Sequence, residues 1–220
     1  MMFWKNYHTA VHDDLKYLED IDDESEVRHQ VNDFVTNYYD LNEDRMADEI
    51  KDAQSDWQKV SESFFEKTKK YFGEHPWPKG QYQALGSIWR IYPRMITDKF
   101  FTFPLSAKKP RNLVIAHEML HFLEYDYLSQ KFSLKPSESG DDDNTFWQFT
   151  ENLNALIEQE EDWQEFNKDF KGGHVKPECR KMYDEMKKIW TGDNLDEMAE
   201  EILVKRKEEF LDDPNERFNY

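Results

Sequence analysis

Residues 117–121 read His-Glu-Met-Leu-His and lie within a largely apolar run that spans residues 112–123. On a helix, His117 and His121 lie one turn apart on the same face, because side chains four positions apart stack. Two imidazoles placed in this way can bind one zinc ion, and Glu118 beside them can reach a water molecule on that ion. The pattern therefore predicts a zinc site with a neighbouring acid–base group.

A catalytic zinc site needs a third protein ligand, which leaves the fourth position for water. The metzincin extension, His-Glu-x-x-His-x-x-Gly-x-x-His, does not supply it, because Glu124 stands at the glycine position and Tyr127 at the final histidine position. Glu124 and Asp126 are poor ligands, since they belong to the same helix and lie beyond the metal. A glutamate from the next helix remains, either Glu151 or, as the alternative, Glu158.

The periodicity of apolar residues divides the chain into helices around one aromatic, β-branched region at residues 81–105, which predicts two or three short strands. Asp23 or Ser25 can cap the first clear helix, Gly73 ends the second, and Pro110 suits the first turn of the helix that carries the histidines. The predicted helices are 24–40, 43–72, 111–130, 145–160, 177–191 and 194–211.

The order of these elements over residues 80–160 resembles the gluzincins, the thermolysin-like zinc peptidases, and its compactness is most similar to the minigluzincins. In that family, aromatic strands precede the His-Glu-x-x-His helix, and a later helix carries a glutamate ligand. The resemblance implies that His117, His121 and Glu151 bind zinc and that Glu118 is the general base and acid. It also implies a zincin-like fold with a small sheet packed on the zinc-binding helix.

The resemblance is weaker around the third ligand. Many relatives have Asn just before this glutamate and Asp four residues after it, whereas this chain has Thr150 and Ala155. Asn154 is a candidate substitute for orienting the histidines. The family usually takes its oxyanion stabiliser from a downstream Tyr or His, for which His174 and Tyr183 are candidates.

The helix that carries Glu151 has an apolar face formed by Phe149, Leu153, Leu156 and Ile157, and Glu151 points roughly the other way. It can therefore reach the metal only if the helix is sandwiched, with its apolar face on the C-terminal helices and its polar face towards the histidines.

Composition narrows the class of protein. The net charge of −18 over 220 residues argues against nucleic acid and anionic membranes as partners and fits cationic or neutral substrates. Cys179 is the only cysteine, so neither an internal disulfide nor a cysteine metal site is expected. No apolar run is long enough to span a membrane, and the first residues lack the features of a signal peptide. We expect a cytoplasmic protein.

The sequence therefore predicts one α+β domain over residues 1–220. A helical part covers 1–80, the sheet and both site helices cover 81–160, and C-terminal helices cover 161–220. The predicted function is zinc-dependent hydrolysis of a peptide or protein substrate. Two alternatives stay open: a helical interaction protein with a degenerate or structural metal site, and a latent peptidase masked by its C-terminal segment.

Overall fold

The computed structural model describes residues 12–89, 92–105, 110–135, 144–166, 173 and 175–211. It is mostly helical with a small mixed sheet, which confirms the α+β class. The helices are α1 Glu24–Phe72, α2 Arg111–Phe132, α3 Thr145–Ile157, α4 Arg180–Ile189 and α5 Leu195–Ala199, and the strands are β1 Gln83–Ser87, β2 Arg94–Met95 and β3 Phe100–Pro104. Short 3₁₀ helices span Asp13–Asp20, Glu161–Phe166, Pro177–Cys179 and Lys207–Glu209.

Helix α1 is one continuous helix of 49 residues, so the predicted break between residues 40 and 43 is wrong. The sequence there, Asp-Leu-Asn-Glu, contains neither glycine nor proline, and nothing in it forces the backbone out of the helix. The predicted ends are confirmed. The Asp23 carboxylate accepts hydrogen bonds from the backbone N–H groups of Ser25 and Glu26, and Gly73 ends the helix with a φ of +59°.

The sheet has the strand order β1-β3-β2, with β1 parallel and β2 antiparallel to β3. Arg94 of β2 lies opposite Phe101 of β3, and directly opposed residues point to the same face of a sheet. Phe101 is buried and its ring lies 6.2 Å from that of Phe122 on α2. The register therefore directs Arg94 towards α2, the helix that carries the two histidines.

Helices α2 and α3 form the centre of the molecule. Helix α2 begins directly after Pro110, as predicted, and its buried side chains join the main core cluster. Helix α3 is buried on almost every side, from Thr145 to Ile157. One side of α3 contacts the C-terminal part of the chain, where Asn152 Nδ2 donates to the carbonyl oxygen of Cys179 over 3.0 Å. Helix α3 is thus sandwiched, the arrangement that Glu151 requires.

The C-terminal part departs from the predicted helices. The predicted helix 177–191 is a 3₁₀ turn followed by α4. The predicted helix 194–211 is α5, then a π-helical segment at Glu200–Lys205, then a 3₁₀ turn. Apolar spacing does not distinguish these turn widths over such short segments. Within the described ranges, no helix combines the length and the apolar character that crossing a membrane would require.

Candidate metal centre

The two histidines of α2 point at each other across one helical turn. The Nε2 atoms of His117 and His121 lie 3.2 Å apart, and the ring centroids are 4.8 Å apart. The side chain of His121 has no exposed surface, whereas 23% of that of His117 is exposed. Two nitrogen ligands about 2.0–2.1 Å from a tetrahedral zinc ion lie about 3.3 Å apart, so this spacing fits a shared zinc ion.

Glu151 on α3 completes a group of three. Its Oε2 lies 3.8 Å from His117 Nε2 and its Oε1 lies 3.7 Å from His121 Nε2. One ligand atom from each of the three residues lies within 4.8 Å of the others, and the described part of the chain contains no other such group. The structure thus brings together the three residues predicted as ligands, in a set of donors that suits a catalytic zinc site.

A carboxylate lies next to the Nδ1 atom of each histidine. Glu158, at the end of α3, has its Oε1 2.7 Å from His117 Nδ1. Glu124 Oε2 lies 2.9 Å from His121 Nδ1, although the angle between them falls outside that of a hydrogen bond. A carboxylate on Nδ1 fixes the imidazole tautomer that leaves Nε2 free for a metal. Glu158, the alternative ligand, therefore supports His117 instead.

The buried pair of His121 and Glu124 provides a test of whether the site fits a metal. Both side chains are fully buried, and His121 Nδ1 and both Glu124 oxygens lack a hydrogen-bond partner. Buried polar atoms without a hydrogen-bond partner lower the stability of the folded state. A metal on Nε2 makes Nδ1–H a stronger donor towards Glu124, so the donor set fits a bound zinc ion.

Asn154, the candidate for orienting the histidines, contacts both of them, but on His121 it meets Nε2, the atom that would bind the metal. Its Nδ2 lies 3.1 Å from the carbonyl oxygen of His117 and 3.1 Å from Nε2 of His121. It is three residues after Glu151 and thus on the same face of α3. Thr150 and Ala155 do not take this role, because the Thr150 hydroxyl donates to the carbonyl oxygen of Trp147 and Ala155 has no polar side chain.

Glu118 is a buried carboxylate beside the histidines, only 6% exposed. Burial raises its pKa, and the nearby charges of Arg94 and His117 oppose that rise. Its Oε2 lies 3.4 Å from Arg94 Nη1. A raised pKa makes a carboxylate a stronger proton acceptor than an ordinary one, which suits a general base.

Two cations at the centre were not anticipated from the sequence. Arg94 donates from Nη1 and Nη2 to Glu151 Oε1, each over 3.1 Å, and Lys176 Nζ lies 3.1 Å from Glu151 Oε2. Lys176 also lies over the ring of Trp147, 4.5 Å from its centroid. The alternation of the short strand β2 could have indicated the direction of Arg94, but its cross-strand register is not visible in one sequence.

The surroundings of the two histidines shift their pKa values in opposite directions. Burial disfavours protonation of His117, but Glu158, Glu151 and Glu118 outweigh it and raise the pKa of His117 well above its usual value. Burial and the Arg94 charge lower the pKa of His121 well below its usual value. Without a metal, His117 therefore carries the proton that would hold the two rings together.

The pKa values of two buried carboxylates, Glu124 and Glu151, are also shifted in opposite directions. Burial raises the pKa of Glu124 well above its usual value. Burial also acts to raise the pKa of Glu151, but the hydrogen bond with His117 and the charges of His117 and Lys176 outweigh it, so that this pKa is lowered. The lowered pKa keeps Glu151 ionised, which is the form that a metal ligand needs.

The two candidate oxyanion stabilisers are not joined to the centre by any contact that the structure describes. His174 lies outside the described residues. Tyr183 is buried in α4, where its hydroxyl accepts a hydrogen bond from Gln159 Nε2 over 2.8 Å.

No family model, no curated protein and no solved structure matches this chain.

Proposed function

We propose that the protein is a zinc-dependent metallopeptidase of gluzincin-like type that hydrolyses peptide bonds in a cytoplasmic peptide or protein substrate. The observation that carries the proposal is the convergence of one ligand atom each from His117, His121 and Glu151 within 4.8 Å, with Glu118 next to His117 on the helix of the histidines. A cluster of ligands with an adjacent acid–base residue is what zinc-assisted hydrolysis needs, and this is what supports the proposal.

In the proposed reaction, three residues would bind the metal and a fourth would transfer protons. His117, His121 and Glu151 would hold a zinc ion, which when bound acts as a Lewis acid towards a carbonyl group and lowers the pKa of water. Glu118 would take a proton from the attacking water and pass it to the leaving amine, so that water and a peptide bond give a carboxylic acid and an amine. Glu158 and Glu124 would hold the imidazole rings in place through their Nδ1 atoms.

Strand β2 offers a place for the substrate. It lies at one edge of the sheet, and its Arg94 side chain reaches the centre. An extended peptide could add to this edge through main-chain hydrogen bonds, which would bring its carbonyl groups past the histidines.

The test is the variant Glu118→Gln. It should retain about one zinc ion per chain, measured by elemental analysis of the purified protein, and should lose hydrolysis of a mixed-sequence fluorogenic peptide library. His121→Asn is the matched variant on the same helix, and it should lose both zinc and hydrolysis. Hydrolysis that persists in Glu118→Gln would overturn the assignment of the base.

One observation favours the alternative of a degenerate metal site in an interaction protein. Both oxygens of Glu151 already meet cations, Arg94 and Lys176, which compete with a metal for that carboxylate. If this competition prevails, the purified chain should bind clearly less than one zinc ion even at micromolar free zinc, and it should hydrolyse nothing. A stoichiometric zinc content decides against this alternative.

A further inference from the structure

Two cations, Arg94 and Lys176, lie beside the carboxylates of the candidate metal centre. Each histidine has a carboxylate of its own, Glu158 for His117 and Glu124 for His121. Arg94 and Lys176, in contrast, share Glu151. A zinc ion that takes Glu151 as its ligand adds a third cation to the same carboxylate.

The two cations differ in how firmly other residues hold them. The Arg94 side chain is 13% exposed and also contacts Glu118 Oε2 at 3.4 Å. The Lys176 side chain is 38% exposed, and among the described residues it also lies over the face of Trp147, 4.5 Å from the ring centroid. A cation–π contact leaves the N–H donors of an ammonium group free to meet an anion. Within the described part of the chain, Lys176 is therefore a partly exposed cation that meets Glu151 and has ammonium donors left for a second anion.

The segment that carries Lys176 is fixed against helix α3. A Cβ atom on Gly173 would lie only 2.5 Å from the Cα atom of Ala155, which shows how closely the two backbones approach. Val175 packs against the main core cluster. Gly173 is thus held against α3 and Val175, next to Lys176 in the chain, is held by the core, so the Lys176 side chain projects from a neighbourhood that packing restrains.

We propose that Lys176, with Arg94 behind it, forms a carboxylate-binding subsite beside the zinc centre, so that the enzyme favours substrates with a carboxylate close to the scissile bond. The inference rests on the proposed peptidase function. The carboxylate could be the C-terminus of a peptide or an Asp or Glu side chain. Although the chain carries a net charge of −18, charges beyond about 10 Å are screened in salt, whereas contacts near 3 Å are not.

The test uses small probes that bind zinc through a hydroxamate. The monohydroxamates of succinic and glutaric acid carry a free carboxylate, and their primary-amide counterparts do not. Binding to the zinc-loaded full chain is measured by calorimetry. We expect at least one acid to bind about tenfold more tightly than its amide, the size of one charge-assisted hydrogen bond at a partly exposed site. Lys176→Met should remove this difference, and Lys176→Arg should restore most of it.

A charge-matched control separates the subsite from the overall field. Lys59→Met removes one positive charge from the exposed face of α1 and should leave the preference for the acid unchanged. Equal binding of acids and amides to the zinc-loaded wild type would overturn the subsite while leaving the metal centre intact. Failure of the wild type to bind zinc would overturn the proposed function, and the subsite with it.

The source of the carboxylate is then identified with peptides. Matched peptides end in a free carboxylate, in an amide, or in an amide with an internal Asp or Glu. Faster hydrolysis of the first set alone assigns the C-terminal carboxylate, and faster hydrolysis of the third set assigns an acidic side chain. Equal rates for all three would contradict the subsite.

Discussion

At the scale of single residues, the carboxylates behind the histidines matter as much as the ligands. Glu158 Oε1 lies 2.7 Å from His117 Nδ1, so it fixes the ring and increases the basicity of Nε2. We expect Glu158→Gln, which keeps the shape but not the charge, to weaken zinc affinity by about tenfold or more. Competition with a chromophoric chelator measures this affinity.

The control for that variant is Glu161→Gln, which removes the same charge from an exposed position three residues further on. It should leave zinc affinity within about twofold of the wild type, since exposed charges contribute little. Equal affinities for the two variants would mean that Glu158 does not act through His117.

The proton on His117 gives a second expectation at this scale. The pKa of His117 is raised well above its usual value, chiefly by Glu158 against the opposing effect of burial. Zinc needs a neutral imidazole, so metal binding must expel this proton at neutral pH. Zinc affinity should therefore rise about tenfold per pH unit until the pH passes the pKa of His117.

Calorimetry in two buffers of different ionisation enthalpy counts the released protons directly. At least one proton per zinc ion is expected at pH 7 in the wild type. Zinc binding that is independent of pH and releases no proton would contradict the charge arrangement at the centre.

At the scale of elements, Gly173 lies close against the backbone of α3 at Ala155. A side chain at Gly173 would meet the helix backbone at Ala155, with a Cβ–O distance of 2.6 Å. We expect Gly173→Ala to lower the free energy of unfolding by about 1–3 kcal/mol, because a helix backbone cannot yield as a side chain can. Urea denaturation measures the change.

The comparison variant is Gly86→Ala in β1, where the new Cβ would meet the Leu105 side chain instead of backbone. Leu105 can change its rotamer, so this variant should lose less stability than Gly173→Ala. The reverse order would show that the segment adjusts more easily than the side chain does.

The sequence predicted those elements whose signals are local. The helix of His117 and His121 was expected from residue 111 and begins there, because Pro110 and the apolar run both mark its start. The predicted break in α1 was wrong, because a stretch of weak apolar periodicity does not by itself end a helix. Glu124 was set aside as a ligand, but its burial against His121 depends on packing around α2 that no local pattern encodes. Arg94 was missed because the strand register that directs it is a tertiary property.

At the scale of the whole molecule, the packing of α1 changes along its length. Its buried residues all lie in the second half of the helix, and they are Met46, Ala53, Phe64, Thr68, Tyr71 and Phe72. The first half, residues 24–45, contributes none. Backbone amides in a half with little buried apolar surface open more easily than those in the core.

Native-state hydrogen exchange should therefore show residues 24–45 exchanging faster than residues 46–72, through openings that cost less than global unfolding. The second half of the same helix serves as the internal reference. Uniform protection along all of α1 would contradict this division and would indicate that the helix unfolds as one unit.

Zinc should stabilise the whole fold, because its candidate ligands come from both central helices. His117 and His121 lie on α2 and Glu151 on α3, and the two helices form the middle of the core. A ligand that binds only the folded state at a free concentration of 100 times its Kd adds about 2.7 kcal/mol. For a chain of this size, that corresponds to a rise in Tm of about 5–10 °C.

Differential scanning calorimetry with buffered zinc tests this expectation, with magnesium as the comparison ion, since Mg²⁺ prefers oxygen ligands. Glu118→Gln should keep the zinc-dependent rise, because Glu118 is not a proposed ligand, and His121→Asn should lose it. An unchanged Tm in saturating zinc, or an equal rise with magnesium, would contradict a zinc site that joins α2 to α3. A rise confined to zinc and dependent on His121 would connect the residue pair seen first in the sequence to the stability of the entire molecule.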